Sequence, residues 1–249
     1  MGENLLQWHT LAILLAGALA GGFVNGLTGF GTGLTALPLW LQALEPVLAA
    51  QLVSAASIVG HVTAIPGIWA RVDWRRLAPL LAGGLLGVPV GSWLLPHIPL
   101  AAFKIAVGAV LIGYSAFMLI AAGRVRLEAG GRTAEAGVGL ASGILGGMAG
   151  LSGALPTVWA ALKGWPKEER RIAFQAFNMT ILSAMLAATV VQGLIGTRLL
   201  LALALSLPAT LIGGRLGAWL YHRLDDRRFD RLVLALLLLS GLVLVWSNR

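Results

Sequence analysis

The 249-residue sequence contains no cysteine, and only 11% of its residues are charged. Without cysteine the chain cannot form a disulfide, bind a metal through thiolates or pass sulfur through a thiol. Soluble domains are about 25% charged, so too few charged residues are present to cover a water-facing surface. The composition therefore excludes both a soluble globular enzyme and a disordered chain.

Apolar residues make up 58% of the chain, and the mean hydropathy is +0.86. The net charge is +8, but the basic residues form short clusters between long apolar runs. This pattern is typical of a polytopic membrane protein rather than a nucleic-acid-binding one. Apolar runs of about 18 residues or more predict membrane-spanning helices. The sequence has such runs at Leu11–Leu44, Val47–Ile68, Leu77–Leu95, Ala101–Ala122, Ala136–Leu162, Ile172–Ile195 and Leu199–Tyr221, with a shorter one at Leu232–Trp246.

The sequence also contains an internal repeat. GVPVGSWL (Gly87–Leu94) matches GGRLGAWL (Gly213–Leu220), and GLTGFGTG (Gly26–Gly33) is similar to GMAGLSGA (Gly147–Ala154). The spacing indicates a duplicated unit of about 120 residues. We predict one membrane repeat over residues 1–122, a cytoplasmic linker over 123–135 and a second membrane repeat over 136–249.

Glycines interrupt the first apolar run of each repeat. As a straight helix, Leu11–Leu44 would measure about 51 Å, against a hydrocarbon core of about 30 Å. Its glycine-rich middle is a poor helix interior, and irregular backbone at membrane depth must be buried in protein or line a cavity. Each first run is therefore predicted to be two half-helices that meet at a glycine-rich segment. We call Gly26–Gly33 the first tip and Gly147–Ala154 the second tip.

The distribution of basic residues favours a re-entrant first run. If all eight runs cross the membrane, lysine and arginine divide almost evenly between the two sides. If the first run of each repeat enters and leaves on one side, fourteen lie on one face and only Lys104, Arg198 and Arg249 on the other. The favoured fold is an all-α polytopic membrane protein with two inverted repeats, each a broken or re-entrant first helix pair followed by three transmembrane helices. Eight ordinary spans are the alternative.

The two tips are the first candidates for substrate binding. Transporters with inverted repeats bind substrate near the midplane, between the ends of broken helices, and helix amino termini favour anions. The candidate residues are Asn25 just before the first tip, Thr28, Gly29, Phe30, Gly31 and Thr32 within it, and Gly147, Gly150, Leu151, Ser152 and Gly153 at the second. The alternative is that these small residues serve tight helix packing.

The helices that follow the tips carry a second polar set. Gln51 and Ser54 correspond to Gln175 and Asn178 in the repeat, and each pair shares one helical face. These side chains are predicted to bind the anion, with interhelical hydrogen bonding as the alternative. His61 and Arg215 lie within apolar runs. They are candidates for coupling transport to an ion, as a proton carrier, or for placing a charge within the membrane. A structural histidine and an arginine that reaches the membrane surface are the alternatives.

One enzyme motif competes with transport. GLSG (Gly150–Gly153) fits the GxSG pattern of rhomboid-type intramembrane proteases, in which Ser152 would need a histidine base, either His61 or His222. The first tip reads GFGT at the matching position, which favours a structural role for the motif and a protein that is not an enzyme. The sequence predicts no cofactor, no metal site and no nucleic-acid partner.

The two tips, together with GGLLGVPVGSWL after a basic loop, resemble the sulfite exporter TauE/SafE family. The resemblance covers nearly the whole chain, from Leu11 to Trp246. It implies a transporter in the cytoplasmic membrane of a bacterium or archaeon that moves sulfite, sulfoacetate or a related small anion, with a passive anion channel as an alternative. Further expectations are a lipid bilayer as surroundings, a proton or sodium ion for coupling, and a monomer or homodimer.

Overall fold

A computed structural model describes residues 5–62, 69–121 and 130–221, together with the single residues 223, 235, 238 and 242. In these ranges the chain is helical and contains no strand, which confirms the predicted all-α fold. The helices are α1 (Trp8–Thr28), α2 (Thr32–Trp40), α3 (Pro46–Val62), α4 (Trp74–Leu94), α5 (Leu100–Ala121), α6 (Arg132–Ala149), α7 (Ala154–Leu162), α8 (Lys167–Val191) and α9 (Thr197–Tyr221), with a 3-10 turn at Leu95–His97. The predicted run Leu232–Trp246 falls outside the described residues except at isolated positions, and His222 also lies outside them.

Five described helices are long and apolar enough to cross a membrane. They are α1, α4 with its 3-10 turn, α5, α8 and α9, while α3 is apolar but shorter. Helices α2 and α7 have nine residues each, or about 14 Å at 1.5 Å per residue, which is too short for a span. The chain is therefore a multi-pass membrane protein with two short helices inside the bundle.

Both predicted helix breaks are confirmed. Helix α1 ends at Thr28, and α2 begins after Gly29 and Gly31, whose φ angles are 80° and 106°. Helix α6 ends at Ala149, and Gly150 follows with a φ of 67°. Glycine is the residue that adopts this left-handed region without a steric penalty, so the glycines determine where each helix stops.

The chain reverses direction at each break. The Trp40 indole nitrogen donates to the Leu14 carbonyl oxygen at 3.0 Å, so the end of α2 lies beside the early part of α1. In the second half, Gly130, just before α6, lies so close to Trp159 of α7 that a Cβ atom built on it would be 2.6 Å from the ring. Helix α7 therefore returns to the start of α6. Each broken run is thus a hairpin whose two ends meet, as a re-entrant segment requires. The membrane side that each hairpin faces, and the inverted relation of the repeats, stay predictions.

Each hairpin packs on a long helix from the other half of the chain. Helix α1 lies along α9, and α6 lies along α4. A Cβ atom built on Gly26 would lie 2.1 Å from the Gly214 carbonyl oxygen, and one on Gly143 would lie 1.9 Å from that of Gly84. Only glycine allows such close approach of two backbones, a common means of helix packing in membranes. Residues of both tips are buried in this packing, among them Phe30, Thr32, Leu151 and Ser152.

Candidate functional site

The two tips contact each other. A Cβ atom built on Gly33 would lie 2.4 Å from the Gly150 carbonyl oxygen, and one on Gly153 would lie 2.5 Å from the Phe30 ring. The Phe30 ring also makes an edge-to-face contact with Phe174, with 5.9 Å between ring centroids. The amino-terminal ends of α2 and α7 are therefore covered by the opposite tip, and the Phe30 ring fills the space between them.

The first tip is held by its own hydrogen bonds. The Thr28 hydroxyl donates to the Val24 carbonyl oxygen at 2.9 Å and accepts from the Phe30 backbone nitrogen at 3.1 Å. Thr32 is buried beside them. The last carbonyl groups of α1 have no partner within the helix, as at any helix end. They can therefore accept hydrogen bonds from other helices.

Two side chains from other helices meet those carbonyls. The Arg171 guanidinium, on α8, donates to the Gly26 carbonyl oxygen at 3.0 Å, and the His61 Nε2 atom, on α3, lies 2.9 Å from that of Gly29. The carboxyl end of a helix carries a partial negative charge that attracts cations. The Tyr221 ring lies on the Arg171 guanidinium, with 3.9 Å between the guanidinium carbon and the centroid of the ring.

A cavity of about 140 Å³ opens beside the first tip, and we call it the cationic cavity. Its polar lining residues are Asn25, His61, Arg171, Gln175, Thr210 and Arg215. No carboxylate lines it among the described residues. The Nε atom of Arg171 and the Oδ1 atom of Asn25 are buried and have no partner in the described part of the chain. The cavity thus places the half-buried Arg171 and the exposed Arg215 side by side with no carboxylate in its described lining, a charge balance that suits an anion.

A second, larger cavity of about 320 Å³ has a different charge balance. Arg71 and Arg76 line it together with Asp73 and Glu169. Arg76 pairs with Glu169 at 3.2 Å and lies over the Trp165 ring at 3.9 Å. Because carboxylates already offset its arginines, this cavity is less suited to an anion than the cationic cavity is.

The surroundings of the second tip are less polar. The Ser152 hydroxyl donates to the Asn178 side-chain oxygen, and a Cβ atom built on Gly150 would lie 2.4 Å from Val53. Ser54 bonds to the Ala50 carbonyl oxygen at 3.0 Å and to the Met185 sulfur at 2.8 Å. Met185 stands at the repeat position that corresponds to His61. The surroundings of the two tips therefore differ in polarity.

The structure divides the predicted binding residues into separate groups. Asn25, His61, Gln175 and Arg215 meet at the cationic cavity. Gly147 is buried against α4, where a Cβ atom built on it would lie 2.4 Å from the Val88 carbonyl oxygen, and Leu151 is buried as well. Gln51 donates to the Leu194 carbonyl oxygen at 3.0 Å, away from this cavity.

Sequence reasoning missed Arg171, which it counted among the fourteen basic residues on one face of the membrane. The residue lies four positions before Gln175 and seven before Asn178. This spacing places all three on one face of a helix, and it is the signal that could have identified Arg171.

Among the described residues, the structure does not bring together the serine and the histidine that the protease alternative requires. The partner of the Ser152 hydroxyl is Asn178, whereas the ring nitrogens of His61 lie against the carbonyl oxygens of Gly29 and Ser57. A serine nucleophile needs a base within hydrogen-bonding reach. In the residues that the structure describes, no histidine bonds to Ser152.

Broken helical hairpins inside a bundle of membrane-length helices, next to a cationic cavity, are typical of a multi-pass membrane transporter. The family model described as sulfite exporter TauE/SafE matches residues 13–244, nearly the whole chain. The chain belongs to the TauE/SafE family, which confirms the resemblance carried by its glycine-rich motifs. No curated protein and no solved structure shows a significant match.

Proposed function

We propose that this chain carries a small sulfur-containing anion, sulfite or an organosulfonate such as sulfoacetate, across the cytoplasmic membrane by alternating access. Membership of a sulfite exporter family supports a small anion as the cargo. The observation that carries the proposal is the cationic cavity, where Arg171 and Arg215 stand without a carboxylate in the described lining.

The cationic cavity offers groups that fit the oxygens of a sulfite or sulfonate. The Arg171 Nε–H group has no partner in the part of the chain that the structure describes, and charge-assisted hydrogen bonds to oxyanions are about twice as strong as neutral ones. The side-chain amides of Asn25 and Gln175 supply neutral donors beside it. Since a water molecule occupies about 30 Å³ in the liquid, a cavity of about 140 Å³ fits a small anion rather than a drug-sized one.

The contact between the tips suggests how access alternates. The sequence predicts binding between the tips, and we place the anion beside the first tip because the Phe30 ring lies against Gly153. Each hairpin packs on a helix from the other half, so a rocking motion of the halves displaces one tip relative to the other. We infer that the contact of Phe30 with Gly153 closes the path on one side of the anion and opens when the halves move.

Titration calorimetry of the purified chain with sulfite, sulfate, sulfoacetate, isethionate and acetate tests the anion site. We expect a sulfur anion to bind more tightly than acetate. Arg171→Gln and Arg215→Gln should weaken this binding about tenfold or more, since hydrogen bonds to charged groups contribute about 1.5–3 kcal/mol. Arg198→Gln is the matched control, because Arg198 lies on the same helix as Arg215 but outside the cationic cavity. Equal affinity in all three variants would contradict the placement of the site.

A further inference from the structure

Both ring nitrogens of His61 face carbonyl oxygens. The Nδ1 atom lies 2.5 Å from the Ser57 oxygen, one turn earlier on α3, and the Nε2 atom lies 2.9 Å from the Gly29 oxygen at the first tip. A carbonyl oxygen only accepts hydrogen bonds, and a neutral imidazole has a single N–H group. Either neutral form therefore leaves one ring nitrogen with its lone pair against a carbonyl oxygen, whereas the imidazolium ion donates to both.

Asn25 is compatible with a doubly protonated ring. Its amide nitrogen lies 3.5 Å from the His61 Nδ1 atom, too far for a firm hydrogen bond. Its amide oxygen is buried and has no partner among the described residues. The two ends of an asparagine amide are assigned by their bonding, and turning the group directs the unpartnered oxygen toward the N–H of the ring.

The charges around His61 oppose the imidazolium ion while the cationic cavity is empty. His61 is 2% exposed, and burial disfavours an isolated charge. Arg171 on α8 and Arg215 on α9 line the same cavity, and the Tyr221 ring on α9 covers Arg171. Helix α1 contributes Asn25 and Gly26 to this lining, and no carboxylate contributes from any described element. An anion in the cavity reverses this balance, because it offsets the repulsion among the three cations.

We propose that His61 takes up a proton when the anion binds, so that the chain moves the anion and a proton together. This inference rests on the proposed anion site and assigns its coupling ion. Imidazole is the side chain whose charge changes near neutral pH. The second half has Met185, which does not take up a proton, at the corresponding position.

Proton uptake on anion binding tests the proposal in a weakly buffered detergent solution with a pH indicator. The probes are sulfate, sulfoacetate and isethionate, whose ionisation does not change near neutral pH, and the tightest of them is used. Wild-type protein should take up protons on binding, and its affinity should rise by up to about tenfold for each pH unit of acidification. His61→Gln and His61→Asn should bind more weakly, with an affinity that no longer varies with pH and without proton uptake.

His97→Gln is the matched control, because His97 is an exposed histidine outside the cationic cavity, and it should retain proton uptake. Two His61 variants are used in case one of them does not fold. Thermal unfolding followed by tryptophan fluorescence verifies that each variant is folded. Binding by the wild type without proton uptake overturns the proton proposal and leaves the anion site standing. Uptake that persists in both folded His61 variants overturns the assignment to His61. A folded wild-type protein that binds none of the sulfur anions overturns both proposals.

Discussion

The Arg171 guanidinium donates a hydrogen bond of 3.0 Å to the carbonyl oxygen of Gly26, a residue 145 positions earlier in the chain. The bond joins α8, in the second half, to the end of the broken helix α1, in the first half. It satisfies a carbonyl that the helix break leaves open, while Arg171 also lines the cationic cavity and its buried Nε–H group has no partner among the described residues. One arginine thus serves both the first tip and the proposed anion site.

The two equivalent glutamines should respond differently to substitution. Gln175→Ala removes an amide from the cationic cavity and should weaken anion binding by about three- to tenfold, because a typical hydrogen bond contributes about 0.5–1.5 kcal/mol. Gln51→Ala removes a donor that is bonded to Leu194 instead, so its anion affinity should stay close to that of the wild type. Calorimetric affinities of both variants provide the measurement. Equal weakening in the two variants would show that Gln51 also reaches the anion.

The close contact between α6 and α4 should make Gly143 intolerant of a methyl group. In Gly143→Ala the new Cβ atom would lie 1.9 Å from the Gly84 carbonyl oxygen, so the helices must separate. Gly137 is on the same helix with no atom within 4 Å of its Cβ position. Thermal unfolding should show a lower Tm for Gly143→Ala and an unchanged or higher Tm for Gly137→Ala, since alanine favours a helix by about 0.5–1 kcal/mol over glycine. The same Tm in both variants would contradict this packing.

Substitutions of Ser152 and Asn178 should have coupled, non-additive effects on the stability of the protein. Both side chains are buried, and removing one partner leaves the other without its hydrogen bond, at a cost of about 1–3 kcal/mol. Ser152→Ala and Asn178→Ala should therefore each lower the Tm, and the double variant should lose less than the sum of the single losses. Ser152→Ala should retain anion binding. Peptide cleavage by the wild type that disappears in Ser152→Ala would instead support the protease alternative.

Single cysteines test the membrane topology without background, because the native chain contains no cysteine. The re-entrant arrangement predicts that cysteines at Glu45 and Lys104 react with an impermeant maleimide from the periplasm. Cysteines at Arg71, Lys167 and Arg228 should react only after the membrane is made permeable. Position 167 decides between the models, since labelling of Lys167→Cys from outside together with Lys104→Cys would rule out the re-entrant arrangement.

The fold was predictable wherever local chemistry determines it. Six glycines in the segment Gly21–Gly33 disfavour a continuous helix, and the structure breaks the helix within it, at Gly29 and Gly31. The same reasoning located the break at Gly150. Apolar length alone indicated a bundle of membrane helices. The inverted relation of the repeats stays a prediction, because it depends on the orientation of helices in a bilayer.

The cationic cavity was only partly predictable. Asn25, Gln175, His61 and Arg215 were each singled out as polar residues within apolar runs, and the cavity brings them together. Arg171 was counted among the basic residues on one face of the membrane, because sequence position alone does not show that the end of α1, from the other half, reaches it. Its spacing from Gln175 and Asn178 places it on their helical face, but nothing in the sequence pairs it with the Gly26 carbonyl of α1.

Flux in proteoliposomes tests the central claim most directly. Vesicles that contain the wild type, Arg171→Gln or Arg198→Gln would be compared for uptake of sulfite and sulfoacetate, with and without a proton gradient. We predict saturable uptake of at least one sulfur anion by the wild type and Arg198→Gln, and strongly reduced uptake by folded Arg171→Gln. Flux that rises without saturation would indicate a channel. Absence of flux from folded wild-type protein, or full flux in Arg171→Gln, would contradict transport through the cationic cavity.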